Sequence, residues 1–274
     1  MHLSPDVPIV RALSMTPVLR AASPAPDDSE TEDLGTLEIR FSRFNTWYEV
    51  DSLWEGCFLE RTLPGAFAET IAEDRANMRI LFDHGYDPQI GNKVLGPITD
   101  LREDSDSPVG EAPLFDTSYN RDLLPGLQAG VYGSSMRMRV TGDSWDDEPK
   151  ASNYNPKAIP ERTISKVRVM EFGPVAFPAN PDSTAAMRSL TDHYYDRLAQ
   201  RDASAFDAAV RASGLPNFTG RSETRSPDGG EQGTKPGDGD VLPHSNAIDM
   251  GYLAFRDREA SRAYSAFERN RRNA

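Results

Sequence analysis

Gly130-Val131-Tyr132-Gly133-Ser134-Ser135-Met136-Arg137-Met138-Arg139-Val140 reads as a glycine turn running into a strand. Successive side chains of a strand point to opposite faces. Met136, Met138 and Val140 therefore share one face, and Ser135, Arg137 and Arg139 share the other. The apolar face calls for a core behind it. The plain reading of Ser134-Ser135 is a pair of turn or strand-edge serines. A sharper one, a nucleophile held in the open beside the turn, requires a base and a group to orient that base.

Both parts exist beside strand-like runs. Upstream, Met78, Ile80, Phe82 and His84 share one strand parity, which sets His84 at the end of an apolar face, next to Gly85. Its plain reading is a strand-end histidine. Downstream, Val167, Val169 and Glu171 share a parity, so a carboxylate points where valines point. Burying that charge is costly without a partner. Glu171 therefore pairs with Arg137, Arg162 or another arginine, or serves an imidazole. Arg137 and Arg139 read as a solvated strand face, or as cations near a developing oxyanion or a substrate carboxylate. Asp83, His84 and Asp87 could be read as metal ligands, but no second cluster has ligand spacing, and no metal is expected.

Further outward, residues 1–35 mix proline, alanine and an acidic run, with too little apolar surface to offset ordering entropy, and read as a disordered leader. From Thr36 an alternating pattern begins, with strands expected over 36–42, 47–59, 78–84, 90–101, 131–140 and 162–172, short helices over 66–77 and 117–127, and a mobile loop over 142–160. Residues 191–218 have the composition of a helical extension. Residues 219–245 are rich in Gly, Ser, Pro and Asp and read as a flexible linker. Residues 246–274 recover an amphipathic pattern, a C-terminal helix on a tether, suited to docking rather than to a membrane. The hydrophobic fraction of 38% falls below the ~45–50% usual for globular chains, in keeping with unpacked ends.

The net charge of -13 argues against a nucleic-acid partner, which would call for a basic patch. The lone cysteine, Cys57, excludes an intramolecular disulfide and a cysteine-rich zinc site. No apolar run approaches the ~20 residues that cross a bilayer, and no signal-peptide core is visible. The reading is a soluble, non-secreted protein.

Four motifs, in order, resemble the tailed-phage prohead serine proteases, which are related to herpesvirus assembly proteases. Glu60-Arg61-Thr62-Leu63-Pro64-Gly65-Ala66-Phe67 is similar to the family's Glu-x-Ile-x-Pro-Gly-Ala-Phe segment. Leu81-Phe82-Asp83-His84, with Leu95-Gly96, resembles its histidine motif, with Asp-His-Gly in place of Asn-His-Asp. Gly133-Ser134-Ser135 stands where the family has Gly-Met-Ser, and Arg137 and Met138 replace the small and aromatic residues that follow. Arg162 to Val175, with Phe177-Pro178-Ala179-Asn180-Pro181, is similar to the closing motif.

The resemblance spans about residues 36–190 and implies an α+β, mainly β fold: a compact β-barrel protease core with flanking helices. It implies Ser135 as nucleophile, His84 as base and Glu171 as third member, with Ser134 and Arg137 as oxyanion candidates and no cofactor. His193 is the downstream alternative for the third position, since related proteases use a second histidine there. The implied activity is a serine endopeptidase that cleaves capsid or scaffold precursors, and its own tails, inside the assembling prohead in the host cytoplasm. The implied partners are the major capsid protein or a scaffold precursor, with room for a homo-oligomer and none for nucleic acid or membrane. Two alternatives stand beside it, a catalytically inactive scaffolding protein of the same fold and an ester hydrolase.

Overall fold

Runs of β-branched and aromatic residues cut by turns make the chain mainly β, an α+β fold with a few short helices. The computed structural model describes residues 6–21, 34–176 and 187–213. In chain order its elements are β1 (Ile9–Leu13), β2 (Val18–Arg20), β3 (Thr36–Arg40), β4 (Tyr48–Ser52), β5 (Gly56–Thr62), α1 (Ala68–Glu73), β6 (Arg79–Ile80), β7 (Asp100–Glu103), β8 (Pro108–Pro113), α2 (Ser118–Gln128), β9 (Gly133–Asp146), β10 (Glu161–Val175), β11 (Met187–Ser189), α3 (Thr191–Arg201) and α4 (Ala203–Ser213). All lie in the first of two units, Met1–Leu215. The linker expected over 219–245, the helix over 246–274 and the run from Phe177 to Pro181 lie outside the described residues.

The antiparallel pair β9 and β10 forms the spine, in register from Gly133 opposite Val175 to Asp146 opposite Glu161. That pairing draws β9 well into the stretch expected as a mobile loop. The larger sheet runs β11-β1-β9-β10-β5-β4, and β6 also pairs with β10. Thus β10 serves two parallel partners along one edge, β5 at Glu161–Ile164 and β6 at Glu171–Phe172. Register shifts between Ile164 and Val167, and again between Val169 and Glu171, bend the strand between the two.

The second shift decides which way Glu171 points. Val169 lies opposite Met138 and Glu171 opposite Arg137, so Met170 is the extra residue. Phe172, opposite Met136, then takes the place on the apolar face that parity alone would give Glu171. The valine-face placement of Glu171 is thereby corrected: the bulge turns it to the face of Ser135 and Arg137.

The apolar face of the spine packs against the smaller sheet, β2-β3-β8-β7. Met136, Met138, Val167, Val169 and Phe172 meet Leu37, Ile39 and Phe41 there. Phe41 and Phe172 stack with centroids 4.3 Å apart, a pair worth about 0.5–1.5 kcal/mol beyond its buried area. At Gly110 of β8 a Cβ would come within 2.3 Å of the Phe172 ring, so only glycine lets the sheets approach this closely.

Two expectations change. Residues 9–13 and 18–20, read as part of a disordered leader, are strands; every residue of Ile9-Val10-Arg11-Ala12-Leu13 is buried, and β1 fills the slot between β9 and β11. The Arg11 charge within this buried run is matched by Glu55 and Glu60. The barrel, too, is not what the pairing gives. Among the described residues the bonded path ends at β11 and β4, and side chains bridge the gap: Ser189 Oγ donates to Glu55 at 2.8 Å and Ser52 Oγ to Asp192 at 2.6 Å.

Helices α3 and α4 form a second apolar cluster with the strand side of the molecule, Tyr194, Tyr195 and Val210 packing with Val7, Val10 and Trp54. Trp54 and Tyr195 stack at 3.8 Å. α3 is thereby held beside the polar face of the spine.

Candidate active site

Ser135 sits on β9 opposite Ala12 of β1 and Gly173 of β10. At Gly173 a Cβ would lie 1.8 Å from the carbonyl oxygen of Leu81, so the chain crosses directly over this glycine. Leu81 is tied there by its N–H to the carbonyl of Phe172 at 3.2 Å. This crossing brings the following turn, Asp83-His84-Gly85, within reach of Ser135.

His84 is not at the end of a strand. β6 stops at Ile80, and the chain turns with Asp83 and His84 both at positive φ, 47° and 58°. Such backbone is uncommon for non-glycine residues and persists where surroundings over-determine it. Here α3 supplies them: Arg197 is bonded to the Asp83 carboxylate, and Arg201 donates to the Gly85 carbonyl at 3.0 Å. Both guanidinium groups also lie over the ring of Tyr86.

The three residues form one chain of hydrogen bonds. Ser135 Oγ is 2.9 Å from His84 Nε2, and His84 Nδ1 is 2.7 Å from Glu171 Oε1. The tautomer assigned by these partners carries its proton on Nδ1, donates it to the carboxylate, and leaves the Nε2 lone pair for the serine. Ser135 Oγ also lies 2.9 Å from the Arg11 carbonyl, so β1 competes for the hydroxyl proton. The group is enclosed: Ser135 is 0%, Glu171 1% and His84 9% exposed. Beside it opens a cleft of about 360 Å³, lined by His84 with Asp83 and Tyr86 on the turn and Asp192, His193 and Tyr194 on α3.

The other predicted residues fall elsewhere. The Ser134 hydroxyl, on the opposite face, donates to the backbone carbonyls of Arg40 and, at 3.3 Å, Met15. Arg137 lies on the carboxylate side of the imidazole, its Nε 3.6 Å from Glu171 Oε1 and its Nη1 donating to the Tyr194 hydroxyl at 2.6 Å. Burial works against its charge, but Glu171 and Tyr194 outweigh that and hold the guanidinium above its usual pKa. Arg162 serves Glu60 and Asp143 instead. His193 lines the cleft, and it is Glu171 that occupies the Nδ1 side of His84. Asp83 is engaged by Arg197, and Asp87 accepts the backbone N–H groups of Gln89 and Ile90. Among the described residues no group of three His, Cys, Asp or Glu side chains could hold a metal ion.

Two contributors escaped the sequence reading. Arg11 lay in the presumed leader, although the run Ile9-Val10-Arg11-Ala12-Leu13 already carries a strand signal in its β-branched, apolar composition. Tyr194 carries no such signal, since only the fold brings α3 back to Arg137.

A family model described as Caudovirus prohead serine protease matches residues 27–196. Among solved structures, the capsid assembly protease gp21 of bacteriophage T4 is similar at 12% identity, covering 55% of this chain and 100% of that one, with a TM-score of 0.28. No curated protein gives a significant match.

Proposed function

The chain belongs to the caudovirus prohead serine proteases, and from that premise we propose that it is a serine endopeptidase that cleaves capsid or scaffold precursors during head maturation. The observation that carries this reading is the unbroken chain Ser135 Oγ, His84 Nε2, His84 Nδ1, Glu171 Oε1, with steps of 2.9 and 2.7 Å across the ring. Loss of the Ser135 proton to His84 Nε2 lets Oγ attack a peptide carbonyl, and the Nδ1 hydrogen bond to Glu171 steadies the imidazolium that results. The proton passes to the leaving amine, and water hydrolyses the acyl-enzyme. Ser134 and Arg137 are engaged elsewhere, so neither is assigned to the oxyanion.

Action inside the assembling shell fits such an enzyme, because confinement raises the effective concentration of substrate without tight binding. In this reading residues 219–274 deliver the enzyme to the shell and are removed by self-cleavage. The test is wild type and Ser135→Ala with capsid precursor: truncation by wild type alone supports the proposal, and equal processing by both contradicts it.

The complete burial of Ser135 favours one second reading, a scaffolding protein that keeps the fold without turnover. That protein would support head maturation unchanged as Ser135→Ala.

A further inference from the structure

Two atoms of the site lack hydrogen-bond partners although they are buried: Glu171 Oε2 and Arg137 Nε. They belong to side chains that face each other across the spine, Glu171 on β10 and Arg137 on β9. The guanidinium stands 3.6 Å from Glu171 Oε1, the same oxygen that receives His84 Nδ1 at 2.7 Å. A carboxylate with 1% exposure and a single hydrogen bond is held at one oxygen only, and a swing about that bond would release the imidazole. The neighbouring cation opposes it. Its own place is fixed from the far side, where α3 offers the Tyr194 hydroxyl at 2.6 Å and the Tyr194 ring at 5.2 Å.

We propose that Arg137, anchored by Tyr194, is a positioning residue that keeps the Glu171 carboxylate aimed at His84 Nδ1. This rests on the protease reading, and it replaces the oxyanion role for Arg137 that the sequence suggested. It also makes α3 part of the site rather than an appendage, since the same helix holds the His84 turn through Arg197 and Arg201. An arginine that only braced the sheet would need no contact with the carboxylate that holds the base.

The test uses the full chain and two readouts. The first is the low-field proton resonance of His84 Nδ1–H in protein with ¹⁵N-labelled histidine; the sequence holds four histidines, and His84→Gln assigns the signal. Ser135→Ala should keep the resonance, and Arg137→Met should shift it or lose it to exchange. The second is peptide cleavage: Arg137→Met should lower kcat roughly 10- to 100-fold, less than the about 10⁴-fold expected from losing the carboxylate itself, with KM unchanged within about twofold. Arg137→Lys, which restores the charge, should recover most of the loss. Should Arg137→Met fail to fold, Tyr194→Phe, which removes one hydroxyl, should move both readouts in the same direction by less. A resonance and kcat at wild-type values in the variant, or a lysine variant as slow as the methionine one, would overturn the proposal. If wild type cleaves nothing, the protease reading fails, while the resonance still decides the role of Arg137.

Discussion

A strand slipped by one residue presents every later side chain to the other face, and at Met170 that slip places Glu171 with Ser135 and Arg137. The residue type was legible, because an acid in a valine-rich strand demands a partner; its direction was not, because parity counted through an unseen bulge gives the wrong face. His84 was likewise recognisable beside Gly85, whereas its positive φ depends on contacts from α3, more than 100 residues away in sequence. Glu171→Gln retains the volume and removes the charge, so kcat for peptide cleavage is expected to fall about 10⁴-fold with the fold intact; steady-state kinetics alongside circular dichroism checks both. Gly173→Ala forces a methyl onto the Leu81 carbonyl. It should lower stability by about 1–3 kcal/mol in urea unfolding and displace His84, so that activity falls further than stability does.

Among the elements, β1 shows most clearly what composition conceals. Prolines, alanines and an acidic run made residues 1–35 look unstructured, but Arg11 is fully buried, with Glu55 2.6 Å and Glu60 2.7 Å away. Glu60 is also bonded by Arg162 and by the Tyr48 hydroxyl. The strands flanking this network, 48–52 and 56–62, follow patterns visible in the sequence; its charge pairing is tertiary and is not. Removing one member of a buried pair strands the other, so Arg11→Met should cost about 3–5 kcal/mol in chemical denaturation. Burial pushes the Glu60 carboxyl up, but Arg11, with Arg162 and Tyr48, outweighs it and holds the group below its ordinary pKa. A carboxyl depressed in the folded state contributes stability above its unfolded value of ~4.3, which is lost as pH falls through the lower folded value. Wild type should therefore lose Tm on acidification through that window, and Arg11→Met should start lower and show a weaker acid dependence there.

For the whole molecule, the division at Leu215 and Pro216 separates the unit that holds the site from the rest of the chain. The closure of the sheet was not readable in the sequence, since whether strands meet edge to edge or across side chains leaves no trace in their alternation. If the tail delivers the enzyme, deletion of residues 219–274 should leave cleavage of a soluble capsid peptide within about twofold of wild type, in keeping with sites that act independently, and abolish incorporation into proheads; loss of both together would contradict a delivery role. Whether Ser135, His84 and Glu171 work together as an activated nucleophile is decided by following the intact mass of capsid precursor co-expressed with wild type or Ser135→Ala. Truncated precursor is expected with wild type and full-length precursor with Ser135→Ala; truncation by both, or by neither, would contradict a working triad.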